Sequence, residues 1–222
     1  MTSEKLLNVC FHGVGEPRRE LEPGEDRYWV SADRFHELLD ELVTWPAVRI
    51  SFDDGNASDV EIALPALLER GLVAEFFLLA GRLHTPGSVD SDGARELHRH
   101  GMRIGSHGMW HRSWRGMTPQ ERHDEFVAAR DALAKAADHP VDIVACPLGR
   151  YDRQVLAALR GNGYHRVYTS DRRAPRPDAW LQPRFSVHRH DTPQSLRTEV
   201  LARPSLSVRA RATAVGAVKR WR

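Results

Sequence analysis

The sequence predicts an α/β fold of right-handed βα units around a parallel sheet or barrel. Three observations carry this prediction. Six or seven short apolar runs recur along the chain, each bounded by Gly, Pro, Asn or Asp. Most of them are separated by segments with helical apolar spacing and recognisable caps. Charged and histidine residues cluster where several of the runs end, and α/β folds place their chemistry at strand C-termini.

Leu6 to Phe11 is the first strand, and it ends in His12-Gly13-Val14-Gly15-Glu16-Pro17. The Gly-x-Gly lacks a third glycine and meets a proline, so it is no dinucleotide loop. His12, at a strand end, is either a structural hydrogen-bonding residue or part of a site. Residues 17–30 are a charged, irregular loop. Ser31 then caps a helix whose stripe is Phe35, Leu38, Leu39 and Leu42. Val48, Ile50 and Phe52 alternate with polar residues as a strand that stops on Asp53-Asp54-Gly55. Val60, Leu64, Leu67 and Leu68 mark a second helix closed by Gly71. Val73 to Leu79 is dense enough to be a strand buried on both faces. Asp92 to His100 is a short helix and Met102 to Gly105 a strand. Thr118-Pro119-Gln120-Glu121 has the spacing of a capping box, and Phe126, Ala129, Leu133 and Ala137 follow at helical spacing. Val141–Ala145 reads as a strand, Asp152–Arg160 as a helix, Tyr164–Thr169 as a strand and 172–183 as a loop rich in Pro and Arg. Phe185–His188 is a last strand before the helix opened by Thr192-Pro193.

At 222 residues the chain suits one large domain. A net charge of +2 gives no reason to expect nucleic acid as a partner. The basic excess is local: six Lys or Arg and no acid follow Glu199. Such a tail, 203–222, is either solvated or in weak peripheral contact with an anionic membrane or acidic partner. Two cysteines make no disulfide framework, and no stretch approaches a membrane span. The first residues lack an apolar leader run, so the expectation is a reduced, cytoplasmic protein.

Adjacent carboxylates repel, so Asp53 and Asp54 need a metal, a basic neighbour or a shared proton; a polar turn capping the next helix is the plainer alternative. His107 and His111, four apart after the Met102–Gly105 strand, share a face if they form a helical turn, and they would then ligate a metal together with a carboxylate. Gly108 follows the first His, which excludes the zinc-protease pattern. Cys146-Pro147-Leu148-Gly149 ends a third strand, so all three groups would gather on one rim.

These motifs, in this order, resemble the polysaccharide deacetylases, also called the NodB-homology or carbohydrate esterase family 4 domain, over roughly residues 6 to 200. The resemblance implies a distorted (β/α)7-type barrel, with residues 1–202 as a single catalytic domain. It implies a metal-dependent hydrolase that removes N-acetyl or O-acetyl groups from a carbohydrate or sugar-containing precursor, with a divalent ion, expected to be Zn2+, as cofactor. Ser51-Phe52-Asp53-Asp54-Gly55 matches the first motif, which makes Asp53 the base and Asp54 a metal ligand. Ser106 to His111 matches the second and makes His107 and His111 ligands, a metal-bound water being the nucleophile. Gly108 there loses a hydroxyl that supports the loop. Ala145 stands where the third motif has Arg. Pro147, Leu148 and Gly149 keep the rest, with the Leu148 N–H matching an oxyanion donor. Phe185-Ser186-Val187-His188 matches the last motif and makes His188 the acid, although His190 lies on the same face of an extended strand. Arg184 would replace the lost Arg. Trp110 and Trp114 would either stack on sugar or pack the loop, and Arg172, Arg173 and Arg176 would meet an anionic substrate or solvent. Hydrolysis of a non-sugar amide and non-catalytic carbohydrate binding are the alternatives.

Overall fold

The computed structural model describes residues 6–201, and its strands form one sheet in the order β7-β6-β5-β4-β3-β2-β1-β8 with every pairing parallel. The strands are β1 (Leu7–Phe11), β2 (Val48–Asp54), β3 (Ala74–Leu78), β4 (Arg103–Ser106), β5 (Ile143–Ala145), β6 (Arg166–Thr169), β7 (Leu181–Pro183) and β8 (Phe185–Ser186). Only Arg184 separates the last two. β7 pairs with β6 and β8 with β1, so they are two halves of one bent stave that closes the sheet into a distorted barrel. The Arg184 N–H donates to Thr169 O at 2.8 Å and the Val187 N–H to Cys10 O at 2.8 Å, which hands the chain from one neighbour to the other. The expected distorted (β/α)7-type barrel is therefore the observed fold.

β7 falls where a loop was expected over 172–183. Three residues ending in proline carry too little periodicity to read as a strand; they pair because closure needs them. The expected Phe185–His188 strand stops earlier, at Ser186. The His188 N–H turns to the Asp191 carboxylate (2.8 Å) and the Asp191 N–H returns to His188 O, a turn closed by an aspartate side chain.

Alternation along the staves sorts side chains between the two sides of the wall. In β2, Phe52 faces outward and stacks between Phe11 (5.5 Å) and Phe76 (4.7 Å), against Phe35 of α1 (Ala32–Val43). Ser31 caps α1 by accepting from the Arg34 N–H, and Phe35, Leu38, Leu39 and Leu42 are all buried as expected; each such burial stabilises by about 1.5–3 kcal/mol. Helices α2 (Leu64–Glu69), α3 (Ser91–Arg99), α4 (Pro119–His123), α5 (Ala129–Ala137) and α6 (Arg153–Gly161) follow their strands around the barrel, and α7 (Pro193–Leu201) comes after the closing stave. The Thr118–Glu121 capping box forms as read.

The inward residues make a different environment. Asn8 donates to Gln182 of the closing stave beside it (3.0 Å), and Phe77, Ile143, Ala145 and Tyr168 form a small apolar layer. The Arg184 guanidinium lies over the rings of Phe77 and Tyr168. Both cysteines are free and buried. No helix among the described residues is long and apolar enough to cross a membrane. The basic tail proposed for 203–222 lies outside the described residues.

Candidate active site

β2 delivers both aspartates to one end of the barrel, and pleating sends them apart. Asp53 points inward, where Arg184 donates Nη1–H to Oδ1 (2.7 Å) and Nη2–H to Oδ2 (2.6 Å). Arg184 is 1% exposed and Asp53 4%, so this is a buried, bidentate ion pair between residues 131 apart in sequence. Burial alone would raise the Asp53 pKa; attraction from Arg184, then His107, holds it well below the usual carboxylate range. Asp54 has a φ of 79°, followed by Gly55 at 69°. A left-handed aspartate is uncommon, and here His107 Nε2 lies near both carboxylates, 3.9 Å from Asp53 Oδ2 and 3.7 Å from Asp54 Oδ1.

The residues after β4 supply the imidazoles. They form a bent loop rather than the helical turn assumed from the spacing, yet the rings still stack with centroids 5.6 Å apart. Gly108, at φ 87°, makes the bend, and a Cβ there would lie 2.2 Å from Glu125 Oε2. The Glu125 carboxylate, buried from the helix opposite, accepts from the Met109 N–H (2.8 Å), the Trp110 N–H and Trp114 Nε1–H (3.1 Å). Ser106 Oγ accepts from the Gly108 N–H. The loop has therefore not lost its support: Glu125 and Ser106 provide it. Burial raises the Glu125 pKa, against the pull of those three donors.

His107 Nδ1 lies 2.9 Å from Ala145 O. A carbonyl only accepts, so the proton sits on Nδ1 and Nε2 carries a lone pair. His111 Nδ1 lies 2.6 Å from Glu22 Oε2, which places a proton on that nitrogen, and Arg82 holds the other Glu22 oxygen. Both Nε2 atoms face Asp54 Oδ1, at 3.7 and 3.8 Å, and that oxygen is buried with no hydrogen-bond partner among the described residues. Burial pushes His107 down to about 4 despite Asp53 and Asp54, so the ring is neutral near pH 7. In the neutral tautomers with Nδ1–H, three acceptors converge with no proton between them. Ligand atoms bound to one tetrahedral ion at about 2.0–2.2 Å stand roughly 3.4 Å apart, so the spacing fits a metal after a few tenths of an ångström of closure. Asp54, His107 and His111 thus form a group able to hold a metal ion.

These residues line a cleft of about 220 Å³ together with Asp53, Arg184, Leu148, Gly149, His12 and the loop from Glu22 to Tyr28. Leu148 and Gly149 both have positive φ, 57° and 58°. The bonds of their turn run from Gly149 N–H to Cys146 O and from Arg150 N–H to Pro147 O, and neither uses the Leu148 N–H. Pro147 is buried behind them.

Other predicted positions lie elsewhere. Trp110 is 56% exposed, its ring packed on Gly81, and is not on the cleft wall. Trp114 is core, edge-on to Phe126. His188 and His190 are not on the wall either; His190 is exposed, and His188 touches Tyr28 and faces Arg172. Arg172 pairs with Glu199 and donates to Ser186 O, so its guanidinium is already engaged. Glu22 and Glu125 were not foreseen. An acid on an apolar helical stripe, as Glu125 is, was the available signal; Glu22, in an irregular loop, offered none.

Comparison with known proteins places the arrangement. The sequence model of the family described as Polysaccharide deacetylase matches residues 43–167. The Bacillus subtilis (strain 168) protein named "Putative polysaccharide deacetylase YxkH" is 28% identical over 201 residues, covering 83% of this chain and 70% of its own. Streptococcus pyogenes deacetylase PplD, solved in complex with acetate, superposes with a TM-score of 0.76 at 18% identity over 90% of this chain and 99% of that one. IcaB from Ammonifex degensii gives 0.72 at 21% identity, covering 90% and 98%. At such identities the solved structures share the fold.

Proposed function

Since the chain belongs to the polysaccharide deacetylase family, a family of carbohydrate-deacetylating hydrolases, we propose that it is a metal-dependent enzyme releasing acetate from an N-acetylated or O-acetylated sugar. The observation that carries the metal is the convergence of two imidazole lone pairs on the unpartnered Asp54 Oδ1, one residue from an arginine-clamped Asp53.

In this reading Asp54, His107 and His111 hold a divalent ion, and a donor set of two nitrogens and one oxygen suits Zn2+. Bound there, such an ion polarises the acyl oxygen and lowers the pKa of water from about 15.7 toward about 7. The protein's own groups do the rest. Asp53 takes the proton of the attacking water. Arg184 aims the carboxylate and keeps it ionised, at a cost in basicity. The Leu148 N–H donates to the oxyanion as it develops, a contact worth about 3 kcal/mol in comparable sites. Gly149 keeps the turn open, and Pro147 fixes it from behind. Trp110 offers an exposed face to a sugar extending beyond the cleft. The departing amine needs a proton, for which the last sequence motif nominates His188.

Metal analysis combined with acetate release from a panel of N- and O-acetylated sugars tests the reading. Bound metal, acetate release and loss of both on chelation are expected. A metal-loaded protein that releases acetate from none of the panel would refute it.

A further inference from the structure

We propose that Arg27 and Arg150 receive a phosphate group of the substrate, so that the sugar deacetylated here is a phosphorylated one. The inference rests on the deacetylase reading above and names the substrate class of that same cleft.

The carboxylates of the cleft wall are Glu22, Glu25, Asp53 and Asp54. Three of them are already paired: Glu22 with Arg82, Glu25 with Arg19, and Asp53 with Arg184. The fourth, Asp54, stands with His107 and His111 in the group able to hold a metal ion. Two further cations, Arg27 and Arg150, line the same wall, and both residues are exposed. Neither makes an ion pair among the described residues, whereas Arg82, Arg19 and Arg184 each hold one of the wall's acids. The cleft therefore has two guanidiniums in excess of its carboxylates.

Position separates these two from ordinary surface charges. The Arg27 guanidinium carbon lies 4.8 Å from the centroid of the Tyr28 ring, a cation–π contact. Tyr28 in turn stacks on His12 at 4.6 Å, so the cation is held one ring away from a residue at the end of β1. Arg150 follows the left-handed Leu148-Gly149 pair, and its N–H closes that turn onto Pro147 O at 3.1 Å. It is thus tied to the turn that carries the oxyanion donor in the reading above.

The donor geometry selects the anion. A carboxylate is saturated by one guanidinium fork, as Asp53 is by Arg184. A phosphate is tetrahedral and can present oxygens to donors on two different elements, and arginine is the cation whose planar fork suits it. Two unpaired guanidiniums on separate loops of one cleft favour a phosphate over a uronate. The cleft, about 220 Å³, is smaller than the roughly 300–1,000 Å³ of sites for drug-sized ligands. Acyl group and anion must then belong to one small unit: the phosphate is on the acetylated sugar or on the bond that joins it to a carrier.

The test measures acetate release by the metal-loaded enzyme from neutral and phosphorylated sugars. The neutral set is N-acetylglucosamine and its oligomers. The phosphorylated set is N-acetylglucosamine 1-phosphate, the 6-phosphate and UDP-N-acetylglucosamine; the two monoesters against the diphosphate distinguish a free sugar phosphate from a carrier-linked one. The readout is the ratio of kcat/KM on a phosphorylated sugar to kcat/KM on the best neutral one, in which a general loss of activity cancels. Wild type should show a ratio above about 10 for at least one phosphorylated sugar, and Arg27→Gln and Arg150→Gln should each lower that ratio about 10–100-fold. Arg27→Lys keeps the charge but loses the fork, and its ratio should fall between wild type and Arg27→Gln. Raising the ionic strength from about 0.05 M to about 0.5 M should shrink the wild-type ratio, because exposed charges are screened. A wild-type ratio of about one or less for all three phosphorylated sugars, or a ratio that either glutamine variant leaves unchanged, would overturn the assignment. Acetate release from none of the sugars, neutral or phosphorylated, would instead mark failure of the deacetylase reading, and the inference would fall with it.

Discussion

Asp53 and Asp54 are neighbours in the chain and opposites in their surroundings. Asp53 faces into the barrel, and both its oxygens are taken by one guanidinium. Asp54 faces the rim, and one of its oxygens meets only the lone pairs of two imidazoles. One carboxylate is paired by the fold; the other sits with two imidazoles in a group able to hold a metal ion. The guanidinium eases the repulsion between adjacent acids at Asp53, and in the proposed reading a bound cation would do the same at Asp54. The difference teaches that the pleat of one strand is enough to give two adjacent carboxylates different partners.

If this division is right, the two sides break differently. Asp54→Ala or His107→Ala should reduce bound metal to near zero, read by metal analysis and by loss of the shift in unfolding temperature that added metal produces. Asp53→Asn should keep the metal and lose turnover by about 10²–10⁴-fold. Near-normal activity of Asp53→Asn on an acetylated sugar would merge the two roles and refute the mechanism.

Arg184→Met probes the inner side alone. It leaves Asp53 buried without a partner and should cost about 3–5 kcal/mol in denaturant unfolding, along with turnover; unchanged turnover would remove Arg184 from the site. The pH dependence has a defined sign. The folded-state pKa of Asp53 lies below its unfolded value of about 3.9, so the pair stabilises above that pH and the benefit fades as pH falls through the folded value. The stability gap between wild type and Arg184→Met should accordingly narrow on acidification below about pH 4.

The smallest effect is expected on the outer side. Glu22→Ala removes the carboxylate that fixes the His111 tautomer and should weaken metal affinity about 10–100-fold, seen by competition with a chelator, while sparing the Asp53–Arg184 pair. Affinity unchanged within about twofold would show that the loop from Glu22 to Tyr28 does not hold the ligand.

Much of the site was legible because it is local. Asp53-Asp54-Gly55, His107 with His111, and Pro147-Leu148-Gly149 are contiguous motifs at strand ends, and strands announce themselves by periodicity. The partners were harder to read. Arg184 was singled out only for standing near a motif, since nothing in the chain shows which carboxylate a residue 131 positions away will meet. Glu125 resembles any helix residue until the Gly108 bend brings backbone N–H groups onto it. His188 and His190 seemed equivalent while an extended strand was assumed, and the Asp191 turn ends that strand before either.

By itself the sequence determined the alternation of strands and helices, the caps, and which residue types would stand at each strand end, because period and turn chemistry are local properties of the chain. Only the tertiary structure decided that the last stave is bent at Arg184, that this bend closes the barrel and delivers a guanidinium to Asp53, and that His12 rather than His188 faces the cleft. Those outcomes depend on closure, which brings the two ends of the sheet together and which no window of sequence contains.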